Sequence, residues 1–158
     1  MKLIIFFINF LISTGVFADF YGQVVGVIDG DTIRVLDEKN ITHRVRLSEI
    51  DCPEIGQSFG KNAKQELANL IFQRVVFVQS DEIDKYGREL GTVYYGDKNI
   101  NFEMVRRGYA WAYRYYLKNQ TYILLEDLAK GYKKGLWKDQ SPIAPWEWRR
   151  MNKNYGSI

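Results

Sequence analysis

Residues 27–35 read VIDGDTIRV, and this stretch decides how the chain folds. Its apolar ends are typical of β-strands, but they are interrupted by Asp29-Gly30-Asp31, residue types that strands disfavour. Asp and Gly are also the usual residues of turns, so the tripeptide alone favours a simple turn between two strands. Sequence elsewhere must show whether the two acids bind anything.

Strand-like and helix-like runs alternate around this stretch in an order that predicts the fold class. Three strand-like runs joined by short polar segments predict a meander, and two more follow the first helix-like run. This order predicts an α+β, mainly β fold, a five-stranded oligonucleotide-binding-type barrel with three helices. The strand-like runs are YGQVVGVI (21–28), DTIRVLDE (31–38), ITHRVRLSEI (41–50), VVFVQ (75–79) and LGTVYYG (90–96), and the helix-like runs are KNAKQELANLIFQR (61–74), NFEMVRRG (101–108) and TYILLEDLAKGYKKG (121–135).

Two of the helix-like runs carry more detailed expectations. Asn101 is expected to be the N-cap of the second helix and Gly108 its C-terminal glycine. The third run is expected to bury an apolar face and to end at its last glycine. The tail SPIAPWEWRRMNKNYGSI, residues 141–158, is interpreted as an irregular extension. The predicted apolar face of the third helix consists of Leu125, Leu128, Ala129 and Tyr132.

Residues 1–18 are interpreted as an export signal rather than as part of the domain. Lys2 precedes the apolar run LIIFFINFLI, and VFA (16–18) places small residues where a signal peptidase cuts. We expect cleavage after Ala18, a domain over residues 19–140, and a secreted or periplasmic protein. An uncleaved membrane anchor is the alternative, and the short apolar run disfavours it.

Charge and the scarcity of cysteine and histidine narrow the possible chemistry. Without Lys2 the chain has 21 basic and 19 acidic residues, so attraction to phosphates must come from local arginine clusters. Cys52 and His43 are single in the sequence, which excludes an internal disulfide and a zinc site built on cysteine pairs. A Ser-His-Asp arrangement would depend on His43 alone, whose strand-like setting favours a satisfied or exposed strand residue.

The end of the third strand-like run gives the acids another interpretation. RLSEIDCPE, residues 46–54, presents Arg46, Asp51 and Glu54 as the chain leaves the strand. Asp31 and Asp51 would then converge at one end of the barrel. Two carboxylates, a main-chain carbonyl and water suit calcium or magnesium and leave room for a phosphate oxygen. Taken singly, Glu54 would be a solvated loop residue and Arg46 a surface cation.

A second charged segment, DKYGRE (84–89), contains a predicted turn at Tyr86-Gly87. This turn would project Arg88 and leave Lys85 exposed. Two arginines beside a metal suit phosphoryl transfer, because guanidinium groups donate two hydrogen bonds to phosphate oxygens and keep their proton.

Three of the segments described so far are IDGDTIRV (28–35), RLSEIDCPE (46–54) and DKYGRELG (84–91). In this order and at these separations, they resemble the staphylococcal nuclease (thermonuclease) family. The resemblance covers about residues 20–138. It implies a five-stranded oligonucleotide-binding barrel and a calcium-dependent phosphodiesterase that hydrolyses DNA and RNA to 3′-phosphate ends. The protein is expected to be a monomer without stable membrane association after signal cleavage.

The resemblance also assigns roles, position by position. Asp31 and Asp51 match the calcium carboxylates, and Cys52 stands at the position that supplies a main-chain carbonyl to the metal, where the founding member has threonine. The thiol there is expected to be open to oxidation. The remaining matches are Arg46, Glu54 and Arg88 with the catalytic trio, Asp29 with an acid beside the ligands, and Lys85 and Tyr86 with positions that hold the terminal phosphate and the sugar.

The aromatic segment YAWAYRYY, residues 109–116, matches the family's substrate-facing tyrosine region with a spacing that differs by about one residue. Tyr113, Tyr115 or Tyr116 is therefore expected to stack on a base, with core packing as the alternative. A similar ending to the tail of this chain occurs in related bacterial proteins. No role follows from the sequence for Trp146, Trp148, Arg149 and Arg150.

Two other classes of protein compete with the nuclease interpretation. Barrels of this type also bind nucleic acid without cutting it, but here every catalytic position is filled. Cleavage that needs calcium and that a chelator abolishes would separate these two classes. An exported structural or adhesion protein would use the aromatic tail as a partner surface, and no sequence feature supports it.

Overall fold

The computed structural model describes residues 18–155, so the predicted signal, apart from Ala18, lies outside the described residues. No helix in the described part is long and apolar enough to cross a membrane. The elements in chain order are β1 (Phe20–Val27), β2 (Thr32–Asp37), β3 (Thr42–Leu47), β4 (Ile50–Asp51), α1 (Gly60–Ile71), β5 (Val75–Ile83), β6 (Glu89–Tyr95), β7 (Lys98–Asn99), α2 (Ile100–Arg106), β8 (Trp111–Ala112), α3 (Thr121–Gly131), a 3₁₀ turn (Gly135–Lys138) and α4 (Pro145–Tyr155).

Five of the strands close into a barrel. β1, β2 and β3 form the predicted antiparallel meander, and β5 pairs with the other edge of β1, with Tyr21 opposite Phe77. β6 is antiparallel to β5 and also pairs in parallel with β3, where Val45 lies opposite Glu89. This last pairing closes the sheet, and the prediction of a mainly β, five-stranded barrel is confirmed.

The core fills the inside of the barrel and the space beneath α1. Side chains alternate between the two faces of a strand, so every second strand residue points inward. On α1 the inward residues follow the helical repeat instead. The fully buried core includes Val24, Ile33, Val35, Val45, Leu47, Val78 and Val93 from the strands and Ala63, Leu67 and Ile71 from α1.

The predicted N-cap of α2 is wrong. The cap is Asn99, whose side chain accepts a hydrogen bond from the main-chain N–H of Phe102. Asn101 lies inside the helix and is fully buried, because its amide pairs with main-chain groups of β6 and of the loop after β3. The predicted C-terminal glycine is confirmed, since Gly108 adopts a left-handed φ of 78° directly after the helix.

The predicted apolar face of α3 is partly wrong, and the helix ends four residues earlier than expected. Leu128 and Tyr132 are 54% and 73% exposed, whereas Glu126 is almost completely buried. Burial of Glu126 is possible because Arg114 and Lys130 both pair with its carboxylate, at 2.6 and 2.7 Å.

The interpretation of the tail as irregular is also wrong, because its residues Pro145–Tyr155 form α4. Pro145 occupies the first helical position, where the missing N–H is not needed, and Glu147 follows in the first turn. The described residues therefore contain four α-helices, whereas three were predicted. The fourth helix brings new side chains to the mouth of the barrel.

Candidate active site

One cleft of about 870 Å³ lies at the mouth of the barrel. His43 is not among its lining residues; it lies in β3 between the carboxylates of Asp37 and Glu89, a satisfied strand residue as predicted. The cleft brings together the sequence-predicted site residues Asp29, Asp31, Arg46, Asp51, Cys52, Glu54, Lys85, Tyr86, Arg88, Tyr113 and Tyr115.

Asp31 and Asp51 reach the cleft from two different elements. Asp31 ends the bend between β1 and β2, where Asp29 Oδ1 accepts a hydrogen bond from its main-chain N–H at 3.0 Å. Asp51 belongs to β4, which pairs antiparallel with β8, so that Asp51 lies opposite Trp111. Asp31 and Asp51 are only 7% and 1% exposed. The two carboxylates are thus fixed by main-chain structure and lie in a largely dehydrated environment.

Cys52 joins these two segments through its main chain and its side chain. Its N–H donates to Asp31 Oδ2 at 3.0 Å, and its thiol donates to the carbonyl of Gly30 at 3.1 Å. Gly30 must be a glycine here, because a Cβ would lie 2.7 Å from that of Cys52. Burial, followed by the negative charge of Asp31, raises the pKa of the thiol well above its usual value. The thiol is therefore held in its less reactive protonated form, contrary to the expectation that it is open to oxidation.

Arg46 connects the two carboxylates. Its Nη2 lies 3.4 Å from Asp31 Oδ2 and 3.1 Å from Asp51 Oδ1, and its Nη1 donates to the carbonyls of Leu47 and Ile50, both at 3.2 Å. The guanidinium is thereby held rigidly beside both acids. Because both terminal nitrogens already have acceptors, contact with a phosphate would use Nε or exchange one of these partners.

Arg149 of α4 is a site residue that sequence reasoning missed. Its Nη2 donates to Asp51 Oδ2 at 2.7 Å, and its Nη1 donates to Asp51 Oδ1 at 3.2 Å and to Glu54 Oε1 at 2.8 Å. Burial raises the pKa of the Asp51 carboxyl, and the hydrogen bonds from Arg149 oppose that shift. The available signal was the run of residues 146–155 after Pro145, which contains no glycine and no further proline and is therefore compatible with a helix.

Glu54 is held by a tight turn before α1. Its carbonyl accepts from the N–H of Gln57 at 2.8 Å, and its own N–H donates to the Gln57 side chain at 3.1 Å. Gly60 packs directly against this turn, since a Cβ there would lie 1.8 Å from the Glu54 carbonyl oxygen. The main chain of Glu54 is thus fixed, whereas its side chain is 40% exposed and faces the cleft.

The predicted turn at residues 84–89 also lines the cleft. Asp84 organises it by accepting from the N–H groups of Tyr86 and Arg88 at 2.8 and 3.0 Å and from Arg88 Nε at 2.8 Å. Lys85 Nζ lies 5.1 Å from the centre of the Tyr86 ring. Arg88 therefore shares the cleft with the paired acids but is bound to Asp84 rather than to them.

The tyrosines divide into one packed ring and two exposed ones. Tyr113 stacks on Trp146 with ring centres 5.5 Å apart and an angle of 25° between the planes. Tyr115 and Tyr116 are 74% and 64% exposed. The alternative that these tyrosines pack in the core is therefore wrong for Tyr115 and Tyr116. The ring of Tyr113, in contrast, is covered on one face by α4.

The charges at the centre of the cleft fit one bound divalent cation. Within residues 18–155 no three Asp, Glu, His or Cys side chains are arranged as a metal site. Two carboxylates with a main-chain oxygen and water nevertheless satisfy a hard cation. Burial, followed by the charge of Asp31, raises the pKa of Asp29 to about 6. The central cluster has two more carboxylates than guanidinium groups: Asp29, Asp31, Asp51 and Glu54 against Arg46 and Arg149.

A closed oligonucleotide-binding-type barrel with buried carboxylates and arginines at its mouth defines the general class of this protein. Residues 44–139 match the family described as Staphylococcal nuclease homologue. The chain belongs to the staphylococcal nuclease family, as its sequence motifs predicted, and the prediction of a nuclease is confirmed at the level of enzyme class.

Bacterial relatives resemble the chain over most of its length. It is 46% identical to a micrococcal nuclease of Shigella flexneri, with 91% of this chain and 88% of the relative covered. It is 41% identical to the protein ParB of Escherichia coli, with 91% and 87% covered. An uncharacterized endonuclease of Haemophilus influenzae is 43% identical, with 83% and 74% covered.

Proposed function

We propose that the protein is a calcium-dependent phosphodiesterase that hydrolyses DNA and RNA and leaves 3′-phosphate ends. The observation that carries the proposal is the meeting of Asp31, Asp51, Arg46 and Glu54 in one cleft of a nuclease-family barrel. Lys85, an exposed lysine among the residues that line the cleft, can attract a phosphate.

Asp31, Asp51 and the main-chain carbonyl of Cys52 would hold the calcium ion. When bound, the ion would supply positive charge that stabilises negative charge on the phosphate oxygens. Hard oxygen donors of this kind suit calcium, and Asp51 Oδ2 accepts one hydrogen bond among the described residues, which leaves a lone pair for a metal.

The chain's own residues perform the remaining steps. Glu54 orients a water molecule or accepts its proton as the water oxygen forms a bond to phosphorus. The bond from phosphorus to the 5′-oxygen breaks, and that oxygen takes up a proton, so one fragment ends in a 3′-phosphate and the other in a 5′-hydroxyl. Arg46 and Arg88 donate hydrogen bonds to the phosphate oxygens as their negative charge grows.

Glu54→Gln tests this assignment against the alternative of a non-catalytic nucleic-acid-binding barrel. With calcium present, the variant should bind a short DNA strand nearly as well as the wild type but cleave it about 100-fold more slowly in single turnover. End-group analysis of wild-type products should find 3′-phosphates, and a chelator should stop cleavage. Binding by the wild type without any cleavage would establish the alternative, and normal cleavage by Glu54→Gln would remove Glu54 from the mechanism.

We also propose that the protein is exported with cleavage after Ala18. Lys2, the apolar run that follows it and the small residues at positions 16 and 18 support this proposal. N-terminal sequencing of the protein recovered outside the cytoplasm should begin at Asp19, and recovery of the intact chain would contradict cleavage.

A further inference from the structure

The C-terminal helix α4 is anchored on the rim of the cleft by aromatic packing. Trp146 stacks on Tyr113 and meets the edge of Trp111, with ring centres 5.5 and 5.6 Å apart. Just before the helix, the carbonyl of Ile143 accepts a hydrogen bond from the Gln57 side chain at 2.6 Å. Gln57 belongs to the turn that carries Glu54, so the tail is joined directly to the catalytic turn.

This anchoring places Arg149 between the two carboxylates with different expected tasks. Asp51 is an expected metal ligand, and Glu54 is the expected water-orienting group. The Arg149 fork reaches both, at 2.7 Å to Asp51 and 2.8 Å to Glu54. A planar guanidinium that donates to two carboxylates fixes their relative position, which a single ammonium group cannot do as well.

Of the two carboxylates, that of Glu54 depends more on the Arg149 guanidinium to hold it in place. Its side chain is 40% exposed, so solvent alone would leave it free to change rotamer. Asp51, in contrast, is buried and is also paired with Arg46. The contact with Arg149 therefore restricts Glu54 more than Asp51.

We propose that Arg149 is a positioning residue for phosphodiester hydrolysis, which holds Glu54 at a fixed place beside Asp51. This inference rests on the proposed function. The C-terminal helix is then part of the active site rather than an appendage to the barrel. Arg149 and a bound divalent cation are compatible, because the cluster keeps two excess negative charges with Arg149 present.

Arg149→Met tests the proposal, since methionine keeps an unbranched apolar stem and removes the charged fork. The matched control is Arg150→Met, the same change at the neighbouring exposed position of α4. Three quantities are measured for each variant: kcat and KM on a short fluorescent DNA strand at saturating calcium, and the calcium Kd of the free protein by titration calorimetry. Tryptophan fluorescence in urea checks that each variant is folded.

For Arg149→Met we expect kcat to fall about 10- to 100-fold with KM within about twofold. Its calcium Kd should stay unchanged or fall, because a positive charge next to Asp51 has been removed. Arg150→Met should keep kcat within about twofold. Arg149→Lys should recover only part of the loss, and it provides a second test if the methionine variant is unstable.

Three other outcomes would overturn the proposal. Equal losses of kcat and of calcium affinity would mean that Arg149 only supports the structure. A rise in both kcat and calcium affinity would mean that α4 blocks the site. Unchanged kcat and calcium affinity would mean that the contact has no role. Absence of cleavage by the wild type would overturn the proposed function itself and this inference with it, whereas an active wild type with an equally active Arg149→Met would overturn only the inference.

Discussion

Replacement of the buried Asn101 by alanine should destabilise the protein strongly. The side chain donates to the carbonyls of Ser48 and Gly91 at 3.0 and 3.2 Å and accepts from the N–H of Val93 at 3.1 Å. The Gly91 carbonyl keeps a second donor, the N–H of Ser48 at 2.8 Å, so the main penalty falls on the main-chain groups of Ser48 and Val93. Each buried polar group that loses its partner costs about 1–3 kcal/mol, so for these two groups we expect a loss of about 2–6 kcal/mol.

Urea unfolding followed by tryptophan fluorescence measures this loss as a shift of the midpoint at constant slope. Asn99→Ala is the matched control, because it removes the same side chain at the N-cap of the same helix, where the contact with Phe102 is worth about 1 kcal/mol. Equal midpoints for the Asn99 and Asn101 variants would refute the reasoning, since they would show that the buried amide is no more important than a cap.

Three further predictions concern the cleft and one strand. Asp31→Ala and Asp51→Ala should each weaken calcium binding and abolish measurable cleavage, with partial recovery at high calcium; normal cleavage at limiting calcium would exclude that residue as a ligand. Arg46→Lys and Arg88→Lys should each lower turnover about 100-fold or more, because lysine keeps the charge but not the fork, and near-normal rates would identify them as surface cations. Burial disfavours the protonated form of His43, but hydrogen bonds to two carboxylates outweigh burial and raise its pKa. The resulting stabilisation is complete below the unfolded pKa of about 6.5 and disappears as the pH rises through the higher folded value. His43→Gln should therefore lower the urea midpoint at about pH 6 much more than at about pH 9, and equal shifts would contradict this.

The barrel could be predicted because its strands obey a local rule. One face of each strand is buried, so the alternation in β1, β2 and β3 is visible in the sequence. Asp31 and Asp51 could be placed together for the same reason, since Asp31 directly precedes β2 and Asp51 follows β3, its antiparallel neighbour. Their metal and catalytic roles remain predictions.

Residues whose burial depends on distant partners could not be predicted. Glu126 looks like a surface residue until the fold brings Arg114 and the main-chain N–H of Ala112 to its carboxylate. Arg149 pairs with an acid 98 positions away, and nothing in the local pattern of α4 indicates that contact. Asn101 was mistaken for a cap because its real partners lie on β6 and on the loop after β3.

The seam between β3 and β6 also has a consequence for how the barrel forms in time. It pairs Val45 with Glu89 and Leu47 with Gly91, residues 44 positions apart, whereas the β1–β2–β3 meander needs only short turns. Closing a loop of that length costs entropy before the pairing repays it. The meander can therefore form early, and the seam, together with the cleft beside it, should be completed in the slow step of folding.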